Sequence, residues 1–215
     1  MNPVFSTISA LMSPSQKVKW EGWTTEDKAH ALMMAVFTIR PTVAVEIGVW
    51  AGRSCIPVAL AMKECGRGVI HAVDPWSPDA SCEGYDKANA DWWKTSANHE
   101  YAFDQFTKAI IFTGTTAHVE IHRMKSDAWT PPDSIDLLHV DGQHTPQAIR
   151  DVERYASKVR VGGIVCMDDV HWHNEGSHDV LRAVDKLKEL GFIELYLMVD
   201  KERGLDCGFY QRVTK

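Results

Sequence analysis

Three acidic residues and one histidine offer the clearest chemistry in this 215-residue chain. Asp141 opens the run Asp141-Gly-Gln-His144, and the pair Asp168-Asp169 follows after a helix-length interval. Three carboxylates drawn to one point repel one another unless a cation neutralises them. Hard oxygen ligands with open water positions suit Mg²⁺, which lowers the pKa of a bound hydroxyl so that an alkoxide forms near neutral pH. His144 titrates close to operating pH and is placed to accept that hydroxyl proton. The plainer alternative has Asp141 turning with Gly142, Asp168 and Asp169 capping the next segment, and His144 serving structure alone.

A second group is built on glycine. Gly48-Val-Trp-Ala-Gly52 follows a short apolar run and precedes a helical pattern, which suits a ligand approaching backbone, or tight strand-to-helix packing. The spacing is not the dinucleotide fingerprint, and no Gly-Lys-Ser/Thr follows. Asp74 closes the next strand, where a carboxylate can bind a ribose diol; alternatively it forms a turn ahead of Pro75.

Those residues need a scaffold that gathers strand ends. Apolar β-branched runs at 42–47, 69–73, 118–122, 135–140 and 164–167 alternate with helical spacing at 25–39, 53–64, 146–159 and 179–190. Thr24 or Thr25 caps the first helix, Thr145 and Pro146 open the third, and Gly162-Gly163 turns into the fifth strand. Residues 193–199 and 208–213 complete a terminal antiparallel hairpin. The class is α/β, with a mostly parallel seven-stranded sheet and helices on both faces. Such sheets bind ligands beyond the carboxyl ends of their strands, where Glu46, Gly48, Asp74, Asp127, Asp141, His144, Asp168 and Asp169 collect. Residues 76–117 form a long connection rich in aromatics, expected as a substrate wall. Residues 1–24 read as a flexible arm interrupted by Pro3 and Pro14, a possible lid on a single domain spanning 25–215.

Composition narrows the class. A net charge of −6 argues against nucleic acid as main partner. No apolar run is long enough to span a bilayer, and residues 1–17 lack the pattern of a secretory signal. Five scattered cysteines suggest reduced thiols in a cytoplasmic protein.

The ordered pieces Val45-Glu-Ile-Gly-Val-Trp-Ala-Gly-Arg-Ser54, Asp74, Asp127-Ala128, Asp141-Gly-Gln-His144 and Gly162-Gly-Ile-Val-Cys-Met-Asp-Asp169 resemble motifs of the class I S-adenosylmethionine-dependent methyltransferases, over about residues 42 to 213. The Asp-Gly-x-His and Met-Asp-Asp pieces resemble the macrocin-type small-molecule O-methyltransferases and, more distantly, catechol O-methyltransferase. The resemblance implies that Glu46, Gly48, Ser54 and Asp141 help hold S-adenosylmethionine, with Glu46, Gly48 and Ser54 around its methionine part. It places Asp74 at the ribose, and Asp127 with Ala128 at the adenine. It implies Mg²⁺ on Asp141, Asp168 and Asp169, and a small-molecule hydroxyl acceptor such as a sugar, natural product or catechol. Gln143 departs from relatives that carry an acid there, so Asp141 or a metal-bound hydroxide could share the role of base with His144.

Trp129 either closes over the adenine or packs in the core. Trp20, Trp23, Trp92 and Trp93 either cover the acceptor or lie in the core or an oligomer interface, a homo-oligomer being possible. His171 and His173 either touch the metal or substrate, or are solvated. Two rival readings are a non-haem iron or other metal enzyme using His139-Val-Asp141, and a non-catalytic binding module that keeps only the cofactor pocket.

Overall fold

The computed structural model describes residues 3–13 and 19–214. Seven strands form one sheet in the order β3-β2-β1-β4-β5-β7-β6. They are β1 (Val43–Ile47), β2 (Val69–Val73), β3 (Val119–His122), β4 (Ile135–Val140), β5 (Val159–Asp168), β6 (Phe192–Asp200) and β7 (Leu205–Arg212). The first five run parallel, and β7 pairs antiparallel with both β5 and β6. Among the described residues eight α-helices complete the fold: α1 (Pro3–Met12), α2 (Glu26–Ile39), α3 (Cys55–Glu64), α4 (Pro78–Ser81), α5 (Lys87–Thr95), α6 (His99–Thr113), α7 (Pro146–Tyr155) and α8 (Asp179–Glu189). Among the described residues no helix is long and apolar enough to cross a membrane.

Alternation along the strands divides the core into two layers. Ala44, Ile70, Ala72, Leu137, Ile164 and Cys166 face a layer completed by α1, α2, α3 and α6. Val45, Ile47, Val73, Leu138, Val140, Val165 and Met167 face the other, completed by α7 and α8. The central β4 is buried at every position, as expected of a strand covered on both sides.

Three expectations change. Pro3–Met12 is not a loose arm: Pro3 starts α1, where its missing N–H costs nothing, and Ile8 is buried against the core. Pro14, the second expected interruption, lies outside the described residues. The connection 76–117 folds into α4, α5 and α6, and α6 is the crossover helix between β2 and β3, burying Ala102, Phe106 and Ile110 at helical spacing. Only the part before α6 is free to act as a wall. Finally, β5 begins at Val159, before the glycine pair; Gly162 at φ +81° and the register shift opposite Ile135 and Leu137 mark a bulge within the strand.

The strand order reverses between β1 and β4, which opens the crevice where such sheets bind ligands. Two contacts set its floor. Gly48 follows β1 at φ +82°, and a Cβ there would lie 2.0 Å from the Asp141 carbonyl oxygen. On the far side Asp151 of α7 accepts hydrogen bonds from Ser126 Oγ (2.7 Å) and Gln147 Nε2 (2.9 Å), tying down the loop after β3. Burial pushes the Asp151 carboxyl up to about 6.

Gly48→Ala combines a left-handed backbone with a backbone clash, and is expected to destabilise the protein by about 3 kcal/mol or more, read as a fall in Tm. Asp151 binds its proton more tightly folded than unfolded, so its charged form weakens the fold as pH rises from about 4 through about 6. Asp151→Asn is therefore expected to be more stable than the parent at pH 7 by roughly 1 to 3 kcal/mol, the gain vanishing below about pH 4, in urea titrations across that range.

Candidate active site

The crevice holds a cavity of about 660 Å³, a size suited to a small-molecule ligand. Its lining divides by chain origin. The turn after β1 supplies Gly48 to Ala51, Arg53 and Ser54; the loop after β3 supplies Lys125, Ser126 and Asp127; the ends of β4 and β5 supply Asp141 to His144, Asp168 and Asp169.

Asp74 holds the glycine turn in shape. Its Oδ2 accepts from the backbone N–H of Val49 (2.8 Å) and Trp50 (3.0 Å), and its Oδ1 from that of Trp76 (2.6 Å). Trp50, at φ +51° without being glycine, is locked by these bonds and by the Trp76 indole, which donates to its carbonyl at 2.8 Å. Burial raises the Asp74 carboxyl, and the three backbone donors only partly offset this. Asp74 thus forms the turn expected ahead of Pro75 and also lines the cavity.

Glu46 is not at the cavity. It lies fully buried beneath it, with Oε1 accepting from Ser54 Oγ (2.6 Å) and Oε2 3.4 Å from His139 Nδ1. The alternation of β1 turns it inward, so of the pair only Ser54 reaches the lining. Asp127 lines the cavity and Ala128 does not. Trp129 packs in the core, stacked on Tyr155 and tilted against His122, and is not among the residues lining the cavity.

The acidic ends of β4 and β5 do converge, around a residue that the motifs left out. Lys28, from the first turn of α2, places its ammonium 3.3 Å from Asp141 Oδ2 and in a short contact with Asp168 Oδ2. Burial alone would lower the Lys28 pKa, but Asp141 and Asp168 outweigh it and hold the ammonium well above its usual value. Asp168 is pulled down to about 2, the pairing with Lys28 overcoming its burial. Asp141 is pushed well up by burial and by repulsion from Asp168, and Asp169 is raised to about 7 for the same two reasons. One signal pointed to Lys28: a lysine on the apolar stripe Lys28-Leu32-Val36 of a helix needs a buried partner.

Of the expected Mg²⁺ set of Asp141, Asp168 and Asp169, the space between Asp141 and Asp168 is taken while Lys28 stands there, whereas Asp141, His144 and Asp169 lie close enough together to hold an ion. Mg²⁺ demands near-octahedral oxygen ligands at about 2.1 Å, and the Lys28 ammonium already fills the space that the Asp141 and Asp168 oxygens face. The residues of the rival iron site, His139 and Asp141, do meet, with His139 1% exposed and set between Glu46 and Asp141.

His144 stands beside the ammonium. Its Nε2 lies 3.4 Å from Asp169 Oδ2 and has no hydrogen-bond partner, while burial lowers its pKa to about 4, Asp168 opposing and Lys28 adding to that effect. The ring is therefore neutral at pH 7. Tyr85 donates no proton here: its hydroxyl accepts from the His144 backbone N–H at 2.9 Å. Trp172 packs on the ring at 5.0 Å between centroids. Gln143 reaches away, donating to the carbonyls of Ala80 (2.6 Å) and Glu83 (3.1 Å), and so binds the loop after β4 to the wall. Sequence reasoning missed Tyr85 and Trp172 as neighbours of His144, because their approach depends on tertiary packing.

Trp23, Trp50, Trp92 and Trp93 crowd the mouth of the cavity, with neighbouring rings 4.9 to 6.2 Å apart. Trp20 is not among them; it packs on the core and donates its indole N–H to the Ala51 carbonyl at 2.7 Å. His171 pairs with Asp206, and His173 stacks edge-on with His178; neither lines the main cavity.

Known proteins supply an independent comparison. Among solved structures the chain is similar to the O-methyltransferase NovP, with 18% identity, a TM-score of 0.71, and 99% of this chain and 98% of that one covered. It is also similar to the O-methyltransferase TomG of Streptomyces achromogenes, involved in tomaymycin synthesis and solved with S-adenosylmethionine (14% identity, TM-score 0.62, covering 100% and 91%). A third is an O-methyltransferase of Bacillus cereus solved with S-adenosylhomocysteine (15% identity, TM-score 0.61, covering 99% and 89%). No curated protein sequence matches the chain. The sequence profile described as a methyltransferase domain matches residues 45–170, from the glycine turn through Asp168 and Asp169. This protein belongs to that methyltransferase-domain family and has the seven-stranded class I methyltransferase fold.

Proposed function

We propose that this protein transfers a methyl group from S-adenosylmethionine to a hydroxyl of a small molecule. The observation that carries the reading is His144, neutral and lining a cavity walled by acids and aromatic rings, with its buried Nε2 unpaired beside Asp169. When bound, S-adenosylmethionine supplies the sulfonium methyl group that is transferred. Gly48, Ser54 and the N-terminus of α3 suit its methionine part, since backbone N–H groups at a helix start favour a carboxylate. Asp74 suits the ribose and Asp127 the adenine. The acidic lining favours a cationic ligand throughout.

His144 accepts the hydroxyl proton as the acceptor oxygen attacks, and Asp169, 3.4 Å from Nε2, stabilises the imidazolium that forms. Lys28 supplies the fixed positive charge that holds Asp141 and Asp168 in place, the part expected of Mg²⁺. Most of the acceleration then comes from positioning two reactants in one cavity. The ring of tryptophans at the mouth suits the flat face of a sugar or an aromatic acceptor. Five free cysteines and a net charge of −6 suit a cytoplasmic enzyme of small molecules, away from nucleic acid and membranes.

Calorimetric titration with S-adenosylhomocysteine should show one tight site; absence of binding would overturn the reading. His144→Ala should keep that affinity and lose about 10²- to 10⁴-fold in kcat across a panel of catechol and sugar acceptors, scored by S-adenosylhomocysteine formed. Chelator-treated protein should turn over as fast as untreated protein, with no gain on adding Mg²⁺, while Lys28→Met should turn over poorly. Mg²⁺-dependent turnover of the parent protein would restore the metal and remove Lys28 from its role, leaving methyl transfer intact.

A further inference from the structure

On the far edge of the sheet, three metal-binding side chains meet outside the cavity. The parallel pair β2 and β3 sets His71 opposite Glu120 and Val73 opposite His122, so alternation turns His71, Glu120 and His122 to one face. His71 Nδ1 lies 3.0 Å from His122 Nε2 and 3.2 Å from Glu120 Oε2, and His122 Nε2 is 3.9 Å from the same oxygen. A tetrahedral zinc ion with bonds of about 2.1 Å separates its ligands by about 3.4 Å, which is the mean edge of this triangle. One N–H at the centre cannot point at both neighbours of His71, whereas one cation satisfies all three atoms.

The surroundings suit an ion as well. Trp129 backs both imidazoles, 5.4 Å from His71 and 4.6 Å from His122, giving the rings a fixed apolar wall. The Glu120 side chain is 58% exposed, which leaves a solvent side for a fourth ligand. None of the three residues lines the main cavity.

We propose that His71, Glu120 and His122 form a zinc site with water as fourth ligand, pinning the edge strand β3 to β2. Imidazole and carboxylate donors suit Zn²⁺ over Mg²⁺. Trp129 lies two residues beyond Asp127 of the cavity lining, so the ion would also steady the wall on that side.

Zinc chloride titrated calorimetrically into tag-free, chelator-treated protein should bind with one equivalent and raise Tm. His71→Ala/His122→Ala should lose that equivalent and the rise in Tm, and Glu120→Ala, at an exposed position, should weaken binding by more than about tenfold. Co²⁺ should give tetrahedral visible bands in the parent protein alone. Retained S-adenosylhomocysteine binding certifies the fold of each variant, and Glu120→Ala decides if the double variant fails that check. No bound zinc in the parent, or one equivalent surviving in the folded double variant or at full strength in Glu120→Ala, would overturn the site.

Discussion

A buried ammonium between two carboxylates is the interaction around which this active site is arranged. Lys28 comes from α2, Asp141 from the end of β4 and Asp168 from the end of β5, so three separate elements are held at one point by charge. Taking Lys28 away would leave the buried acids without their counter-charge, at a cost of about 3 to 5 kcal/mol. The chain extends below the site, because His139 lies between Asp141 and the sealed Glu46, and Glu46 in turn takes the hydroxyl of Ser54. A line of polar groups thus runs from the α3 entrance on one side of the crevice to β5 on the other. Neutral His144 stands at its edge, beside the acid best matched to a physiological proton.

Glycine and strain serve the same arrangement from the cofactor side. Gly48 permits β1 and β4 to close within contact distance at the crevice floor, and Asp74 uses its carboxylate to hold the following turn with Trp50 in a left-handed conformation. Asp169 is likewise a non-glycine residue at positive φ, just where β5 ends. These are places where backbone energy is spent on position.

Much of this was legible in the amino acids. Short β-branched runs alternating with helical spacing marked strands β2 and β4 to the residue, because mostly apolar parallel strands leave a plain signal. Thr145-Pro146 and Thr25 marked helix starts because capping is local chemistry. Asp141, His144, Asp168 and Asp169 were visible as a group because strand ends define one edge of a parallel sheet. What stayed hidden was long-range. Lys28 lies over a hundred residues from either acid it neutralises, so nothing local reports the pairing. The inward turn of Glu46 followed from alternation, yet the motif drew it toward the ligand. α6 was concealed in an apparent loop because its aromatic residues looked like a wall, although Phe106 is core.

The wall and the loop after β4 are stitched together by few bonds with wide reach. Gln143 donates to two carbonyls of the wall, and Tyr85, from the wall, receives the backbone N–H of His144. On the proposed function, the segment that shapes the acceptor's space also sets the posture of the histidine proposed to take the acceptor's proton. On that reading substrate range and catalytic competence are inherited together: exchanging the wall for that of a distant relative carries the hinge pins of the histidine away with it. New acceptors are reached more readily from the tryptophans at the rim, which touch neither bond, than from wholesale replacement of the segment behind them.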